Sequence, residues 1–215
     1  MSTKFLSPGW RMPRNANQSK QSNYSMDFNG SQYINTSSGT SFDFGSNAFS
    51  FSGWVKITSI GDSTNVIFFI QKSGTTPTMQ IRQNARNIKV DFNVGSTWSF
   101  VETTTNPIGN DTNWHHLLVT KSGTSMSIYF DGVLQDTGTA PATLDASNGT
   151  SFIGARGGNT QNWNGQINQV SIFDYALSQD QVTTLWGGGT SVSNPMALPS
   201  PPIAYYPLGT SAWNG

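Results

Sequence analysis

The strongest constraint on the fold of this chain is a two-residue alternation of apolar and polar side chains. In FSFSGWVKI (49–57), phenylalanine, valine and isoleucine take every second position, with one glycine among them. The same period recurs in NIKVDFNV (87–94) and SMSIYF (125–130). Successive side chains of a β-strand point to opposite faces, so this pattern is typical of strands with one buried face. The sequence therefore predicts an all-β protein.

Short connections between the strands predict antiparallel pairing. TMQIRQ (78–83) is separated from the next strand only by Asn84, Ala85 and Arg86, a length that suits a β-hairpin. Glycine and asparagine also mark turns at NGS, SGT, DGV, SNGT and RGGN, and many short strands with such turns indicate a sandwich or a barrel. VIFFIQ (66–71) is continuously apolar, which predicts a strand covered on both faces.

One helix signal stands out, in ALSQDQVTTLW (176–186). Ser178 precedes Gln181 by three residues, the spacing of a capping box at a helix start. Val182, Leu185 and Trp186 can then pack on one face of the helix. We expect one short helix, of a turn or two, near the C-terminal end of the domain.

The composition excludes several classes of function. Charged residues make up only 10% of the 215 residues, and eleven basic residues cancel eleven acidic ones, so no broad positive surface for nucleic acid is expected. The chain has no cysteine, which excludes disulfides and thiolate metal sites. It has neither an apolar run of membrane-spanning length nor the apolar core of a secretory signal at its start. We expect a protein made in the cytoplasm, not exported by that route, and without a membrane partner.

Composition shifts along the chain predict four segments. Residues 1–22 form a basic, extended N-terminal arm, since all four of their charged residues are basic. Residues 23–186 carry the strand pattern and the helix signal. Residues 187–202, GGGTSVSNPMALPSPP, have the Gly and Pro content of a linker. The C-terminal segment, 203–215, regains aromatic character.

Four stretches, taken in order, resemble a known family. They are YSMDFNGSQYI (24–34), FSFSGWVKI (49–57), NWHHLLVTKSGTSMSIYFDGVLQ (113–135) and FIGARGGNTQNWNGQINQVSIFDYALSQDQV (152–182). Together they look like the laminin-G-like domains of the concanavalin A-like lectin and glucanase superfamily. The resemblance implies an antiparallel jelly-roll β-sandwich, and IAYYPLG (203–209) resembles the opening strand of a second such domain. The family includes enzymes, lectins, adhesion modules and structural proteins, so it does not by itself specify a function.

The arm carries a second resemblance. FLSPGWRMPRNANQSKQSNYS (5–25) is similar to the starts of laminin-G-like virion proteins of marine tailed phages. A lectin-like sandwich without a secretory signal also needs another route out of the cell, and virion assembly followed by lysis provides one. We therefore expect localisation in a virion.

The adjacent residues His115 and His116 invite a catalytic interpretation. Neighbouring residues of a strand point to opposite faces, so the two rings cannot converge on one metal or one substrate atom. His116 shares a face with Trp114 and Leu118. In the family that the chain resembles, WHH is also a usual motif of a structural strand. We expect a histidine hydrogen-bonded within the sandwich; the alternative is that one ring touches a ligand.

Enzymatic chemistry is not expected. Glucanases of the superfamily use closely spaced carboxylates, and glycoside hydrolysis requires two carboxyl groups at a set separation. The chain has a single glutamate, Glu102, with no acidic residue at the alternating positions beside it. A pair of aspartates brought together by the fold remains the alternative.

Calcium has weak candidate ligands. Relatives often hold one ion at the edge of the sandwich with oxygen ligands. The resemblance places the aspartate of their G-x-I-D-x-V strand at Asn168, a neutral residue that weakens the site. Asp27 and Asp131 complete the candidates, although Asp131 in FDG also suits a turn. We expect no metal and no other cofactor.

Carbohydrate binding needs an aromatic platform and a few polar groups at a loop. The loop ARGGNTQNWNGQ (155–166) and the segment GSTWSF (95–100) supply them. The candidate glycan contacts are Trp98, Arg156, Asn159, Trp163 and Asn164, with Gln161 beside them. The alternative is that Trp163 packs beneath its own loop and that the asparagines only keep the surface soluble.

The sequence thus predicts a non-catalytic virion structural protein, of the capsid-decoration or tail-fibre type, with an outward-facing lectin-like domain. Its expected partners are other virion proteins, through the arm and the C-terminal segment, and host surface glycans, with no nucleic acid. We expect a homo-oligomer or a component present in many copies. A lectin module devoted to recognition is the alternative function, and a polysaccharide-degrading enzyme is the third.

Overall fold

The computed structural model describes residues 25–36, 42–58, 64–73, 76–109, 112–147, 150–157, 160–189 and 193–208. Within them lie thirteen β-strands and one α-helix, α1 (Gln179–Trp186). The strands are β1 (Met26–Asn29), β2 (Ile34–Asn35), β3 (Phe49–Ile57), β4 (Thr64–Ser73), β5 (Thr76–Asn84), β6 (Asn87–Val94), β7 (Thr97–Glu102), β8 (Trp114–Ser122), β9 (Ser125–Phe130), β10 (Val133–Thr139), β11 (Ser151–Ile153), β12 (Asn164–Phe173) and β13 (Ala204–Tyr206). The predicted arm, 1–22, lies outside the described residues.

The strands form two antiparallel sheets. The first sheet has the order β1-β12-β3-β8-β9-β10, and β13 also pairs with β12. The second sheet has the order β2-β11-β4-β5-β6-β7. Neighbours in the sheets are often distant in sequence, as are β12 and β3, and this connectivity is that of a jelly roll. The predicted all-β jelly-roll sandwich is confirmed.

The main core lies between the sheets and follows from the alternation. Phe49, Phe51, Val55 and Ile57 of β3 are all buried in it. The alternating residues of the second sheet, including Ile81, Ile88, Val90 and Phe92, are buried in the same cluster. Because one residue in two on each strand faces this core, the residues between them face away from it, on the outer face of their sheet.

Helix α1 covers part of the outer face of the first sheet. Ser178 is its N-cap and forms the predicted capping box with Gln181. Val182 and Leu185 are buried in a second cluster, whose other members are Leu118, Phe173, Leu177 and Leu198. The helix has eight residues, and no helix in the described ranges is long and apolar enough to cross a membrane.

The segment after α1 packs on the same domain. Within the predicted linker, Pro195 is buried and Leu198 joins the cluster under α1. Ile203 N donates a hydrogen bond of 2.8 Å to Ile172 O, and β13 then pairs with β12 beside the residues that pair with β1. Residues 204–206 therefore add a strand to the first sheet, whereas the predicted start of a second domain in 203–215 stays a prediction.

Candidate functional site

The two histidines lie on opposite faces of β8, as predicted. The ring of His115 stacks on the core residue Phe130, with centroids 4.6 Å apart, and its Nδ1 shares a hydrogen bond of 2.7 Å with Asp131 Oδ2. His116 points outward, with its ring centroid 5.2 Å from that of Trp54. The two rings do not converge on a common point.

His116 is a structural residue of the first sheet. It is 1% exposed, and its Nε2 shares a hydrogen bond of 2.8 Å with Ser52 Oγ. Burial lowers the pKa of His116 to about 4, although the charge of Asp131 opposes this shift. A serine and a histidine at this distance invite comparison with a hydrolase, but Asp131 Oδ1 accepts from the backbone N of His116, not from its ring. The predicted hydrogen-bonded histidine is confirmed.

A different surface, the outer face of the second sheet, brings polar and aromatic side chains together. On β7, Val101 packs in the core, so Trp98, Phe100 and Glu102 face outward. On β6, the outward residues Lys89, Asp91 and Asn93 lie opposite them in register. On β5, the residues that face outward are Thr78, Gln80, Arg82 and Asn84. We call this set of outward residues of β5, β6 and β7 the outer polar face.

An ion-pair cluster occupies the middle of the outer polar face. Asp91 accepts hydrogen bonds from Gln80 Nε2 (2.8 Å) and Arg82 Nε (2.5 Å). Lys89 Nζ lies 3.5 Å from Glu102 Oε2 and 3.9 Å from Asp91 Oδ1. Two basic and two acidic side chains therefore neutralise one another. Gln80 and Asp91 are buried in this cluster, and its mutual hydrogen bonds and ion pairs hold the partly exposed Arg82, Lys89 and Glu102 in one arrangement.

Two exposed aromatic rings flank this cluster on β7. Trp98 is 48% exposed and Phe100 is 57% exposed, although most aromatic residues of the described chain are buried. Lys89 Nζ lies 3.6 Å from the centroid of the Phe100 ring. Arg156 extends from the loop after β11, and its Cζ lies 5.8 Å from the Trp98 ring. Both distances are within the range of cation–π contacts, so the rings are held in place rather than loosely exposed.

The predicted glycan contacts divide among three locations. Trp98 and Arg156 meet at the outer polar face, and Gln161 Oε1 accepts from Arg156 Nη1 at 3.5 Å. The prediction for Trp163 is wrong: it is 0% exposed and packs in the main core. Asn164 is exposed at the start of β12, in the other sheet. Asn159 lies outside the described residues.

A family model fits this architecture over most of the chain. The model of the concanavalin A-like lectin/glucanases superfamily, in its laminin G form, matches residues 28–183. The chain belongs to this superfamily. No curated protein sequence matches it significantly.

Solved structures with the same fold are only distantly similar in sequence. A heptameric SAP-like pentraxin from Limulus polyphemus has a TM-score of 0.60 and 16% identity, over 87% of this chain and 92% of that one. Domains LG4-5 of the mouse laminin alpha1 chain have a TM-score of 0.57 and 13% identity, over 70% and 41%. Botulinum neurotoxin type C has a TM-score of 0.52 and 17% identity, over 67% and 36%. At these identities the likeness shows the fold.

The calcium candidates of this superfamily member do not form a donor set. Asp27 accepts a hydrogen bond from Gln166 on β12. Asp131 lies in the turn after β9, with φ of 51°, as the sequence analysis proposed as the alternative to a calcium ligand. Its carboxylate also hydrogen-bonds the ring of His115 and the backbone N of His116. Asn168 lies opposite Trp54 on β3. Calcium requires about six to eight oxygen ligands around one point. These three residues do not fit that requirement, and no group of three His, Asp or Glu in the described ranges could hold a metal.

Glu102 does have an acidic neighbour, which the sequence analysis missed because it lies on another strand. Asp91 on β6 lies near Glu102 across Lys89. Each carboxylate is committed within the cluster, Asp91 to Gln80 and Arg82, and Glu102 to Lys89 and Asn84. A glycosidase needs one carboxyl group to protonate the leaving group and the other to attack or to activate water. The geometry of this pair therefore suits a structural ion-pair network better than a pair of catalytic carboxyl groups with separate roles.

Sequence reasoning also missed Phe100 and Lys89 as parts of the surface. The signal was present in the alternation of STWSFVE (96–102), which places Trp98, Phe100 and Glu102 on one face. The same alternation predicts that the side chain of Trp163 faces the core, because every second residue from Trp163 leads to the core residue Ile167 on β12.

Proposed function

We propose that this chain is a non-catalytic glycan-binding domain whose binding surface is the outer polar face with Arg156. One observation carries the proposal. Trp98 presents nearly half of its surface to solvent beside the Arg156 guanidinium and next to the still more exposed Phe100. Adjacent exposed apolar side chains with polar and charged groups around them are typical of interaction sites, whereas single exposed apolar residues are common on any surface.

The chemistry of the surface matches a saccharide. The apolar face of a sugar ring stacks on an aromatic ring, while its hydroxyl groups exchange hydrogen bonds with amide and charged groups. Trp98 and Phe100 offer the rings, and Asn84 and Gln161 offer amides near them. The cluster of Lys89 and Glu102 adds charged donors and acceptors without a net charge. A similarly folded protein, botulinum neurotoxin type C, is described as dependent for cell entry upon interaction with two ganglioside molecules.

The biological setting that we propose is a virion, in which many copies of the chain present this surface to host glycans. The basic arm, 1–22, supports this proposal, because it resembles the starts of virion proteins and because terminal arms can fold against neighbouring subunits on assembly. The arm and the C-terminal segment are the proposed contacts with other virion proteins. The similarly folded pentraxin is heptameric, which is consistent with a multi-copy arrangement.

Binding of the 215-residue chain to a broad glycan array, including bacterial surface polysaccharides, tests the glycan proposal. We expect selective binding that is equal with calcium and with chelator, since the calcium candidates do not form a site. The Trp98→Ala and Arg156→Ala variants should lose the signal. Absence of binding to every glycan would refute the proposed function. Loss of binding only under chelator would show that a bound metal ion takes part in glycan binding.

Incorporation into particles tests the virion proposal separately. A chain lacking residues 1–22 should be incorporated into particles poorly, while a Trp98→Ala chain should be incorporated as well as the wild type. Equal incorporation of the arm-deleted chain would contradict the assembly role of the arm.

A further inference from the structure

The end of the first sheet carries a polar cleft that the outer polar face does not include. It has a volume of about 440 Å³ and lies where β1 and β3 end and β12 begins. This volume is within the range of roughly 300 to 1,000 Å³ that is typical of small-ligand pockets. Its side chains belong to the opposite sheet from Trp98, so the two surfaces lie on opposite sides of the sandwich.

The cleft is built from rows of side chains in register. Asp27 on β1 lies opposite Gln166 on β12, which lies opposite Lys56 on β3. In the next outward row, Asn29 lies opposite Asn164. Neighbouring strands are about 4.8 Å apart, and outward residues along a strand repeat at about 6.8 Å. The two rows therefore form a grid of polar groups on one face, to which Thr58 and Thr112 add hydroxyl groups at the rim.

The main chain beneath the grid is closely packed. Gly165 has φ of +149°, and a Cβ atom there would lie 2.0 Å from Lys56 O. Asn164 O accepts a hydrogen bond of 3.1 Å from Thr58 N, and Gly30 N donates one of 3.1 Å to Trp163 O. The polar side chains thus project from a floor of paired strands, the rigid support that a binding site needs.

We propose that this cleft is a second binding site, for an uncharged saccharide unit. Among the described lining residues, the polar side chains are three amides, two hydroxyl groups, one carboxylate, Asp27, and one ammonium, Lys56, so the two charges of this set balance. Such a grid provides donors and acceptors at the short spacings of sugar hydroxyl groups. An extended peptide would instead bind along a strand edge, whereas the cleft lies on the face of three paired strands, β1, β12 and β3. With a site on each side of the sandwich, one copy can link two glycan chains.

Backbone amide shifts measured by NMR test this proposal on the 215-residue chain. The probes are maltotriose, galactotriose and chitotriose, each added at millimolar concentration. We expect at least one of them to shift the amide signals of Asn29, Thr58 and Gly165, in the wild type and equally in the Trp98→Ala variant.

The double variant Asp27→Ala/Gln166→Ala should weaken this binding about ten-fold or more, the effect of removing one or two hydrogen bonds. Its matched control is Gln135→Ala/Asp136→Ala, which removes the same two residue types from β10 at the far edge of the sheet, and it should bind like the wild type.

Absence of shifts in the cleft with all three sugars would overturn the second site. Shifts in the cleft that disappear in Trp98→Ala, or that persist unchanged in Asp27→Ala/Gln166→Ala, would also overturn it. Shifts confined to the Trp98 region would overturn the second site while supporting the proposed function, so the two failures are distinguishable.

Discussion

Acidification should destabilise the fold through His116, and the structure allows the effect to be calculated. His116 is buried, and its pKa is lowered from the usual 6.5 to about 4. The unfolded chain therefore binds a proton between these two values while the folded chain does not. The contribution of the neutral ring is fully present above about pH 6.5, decreases as the pH falls towards 4, and changes no further below it.

The expected magnitude is about 3 kcal/mol. A difference of about 2.5 pKa units between the folded and unfolded states corresponds to roughly 3 kcal/mol at about 1.36 kcal/mol per unit, and most of it is lost between pH 7 and pH 4. This is a large part of the roughly 5 to 15 kcal/mol by which proteins are stable.

Urea unfolding at a series of pH values measures this loss. Other groups also titrate, among them Asp145, whose pKa is lowered by its hydrogen bond to Lys72, so the comparison must isolate His116. The His116→Gln variant keeps a polar group near Ser52 Oγ but cannot be protonated in this range. Its unfolding free energy should vary less with pH than that of the wild type by about 3 kcal/mol between pH 7 and pH 4. Parallel curves for the two proteins would refute the reasoning.

Three further predictions concern stability, each measured by urea unfolding at neutral pH. Trp163→Ala should cost about 3 to 5 kcal/mol, because the side chain fills the main core, and a loss below 1 kcal/mol would place it outside the core. Gly154→Ala should destabilise more than Gly123→Ala, because both have positive φ but only at Gly154 does a Cβ meet a ring, 2.4 Å from Phe28; equal losses would contradict this packing. Ser178→Ala should cost about 1 kcal/mol through loss of the capping box, and no change would mean that the cap contributes nothing to stability.

Most of the fold could be predicted from short-range patterns in the sequence. The alternation in 49–57 matches β3 residue for residue, and the continuous run VIFFIQ lies in β4, with Val66 and Phe69 in a small cluster separate from the main core. These patterns predict strands because a strand with one buried face has an apolar residue at every second position, and this can be recognised within a few neighbouring residues. The packing of 195–206 onto the first sheet was not predicted, because a Gly- and Pro-rich composition does not reveal distant strand pairing.

The candidate site was only partly predictable. Trp98 and Arg156 were both named, but nothing in the sequence shows that a loop after β11 meets the edge strand β7. The ion-pair cluster depends on cross-strand register, which aligns Lys89 with Glu102 and cannot be read from either strand alone. For Trp163 the sequence left two alternatives open, a glycan contact and a side chain packed beneath its own loop, and its burial in the core supports the second.

Calorimetric titration of a glycan selected on the array tests the central claim most directly. The proteins to compare are the wild type, Trp98→Ala and, as a control of similar exposure on the first sheet, Leu134→Ala. Loss of the Trp98 ring should weaken binding about ten-fold or more without changing the melting temperature appreciably, and Leu134→Ala should bind like the wild type. Equal affinity of Trp98→Ala and the wild type would contradict the claim that the outer polar face binds the glycan.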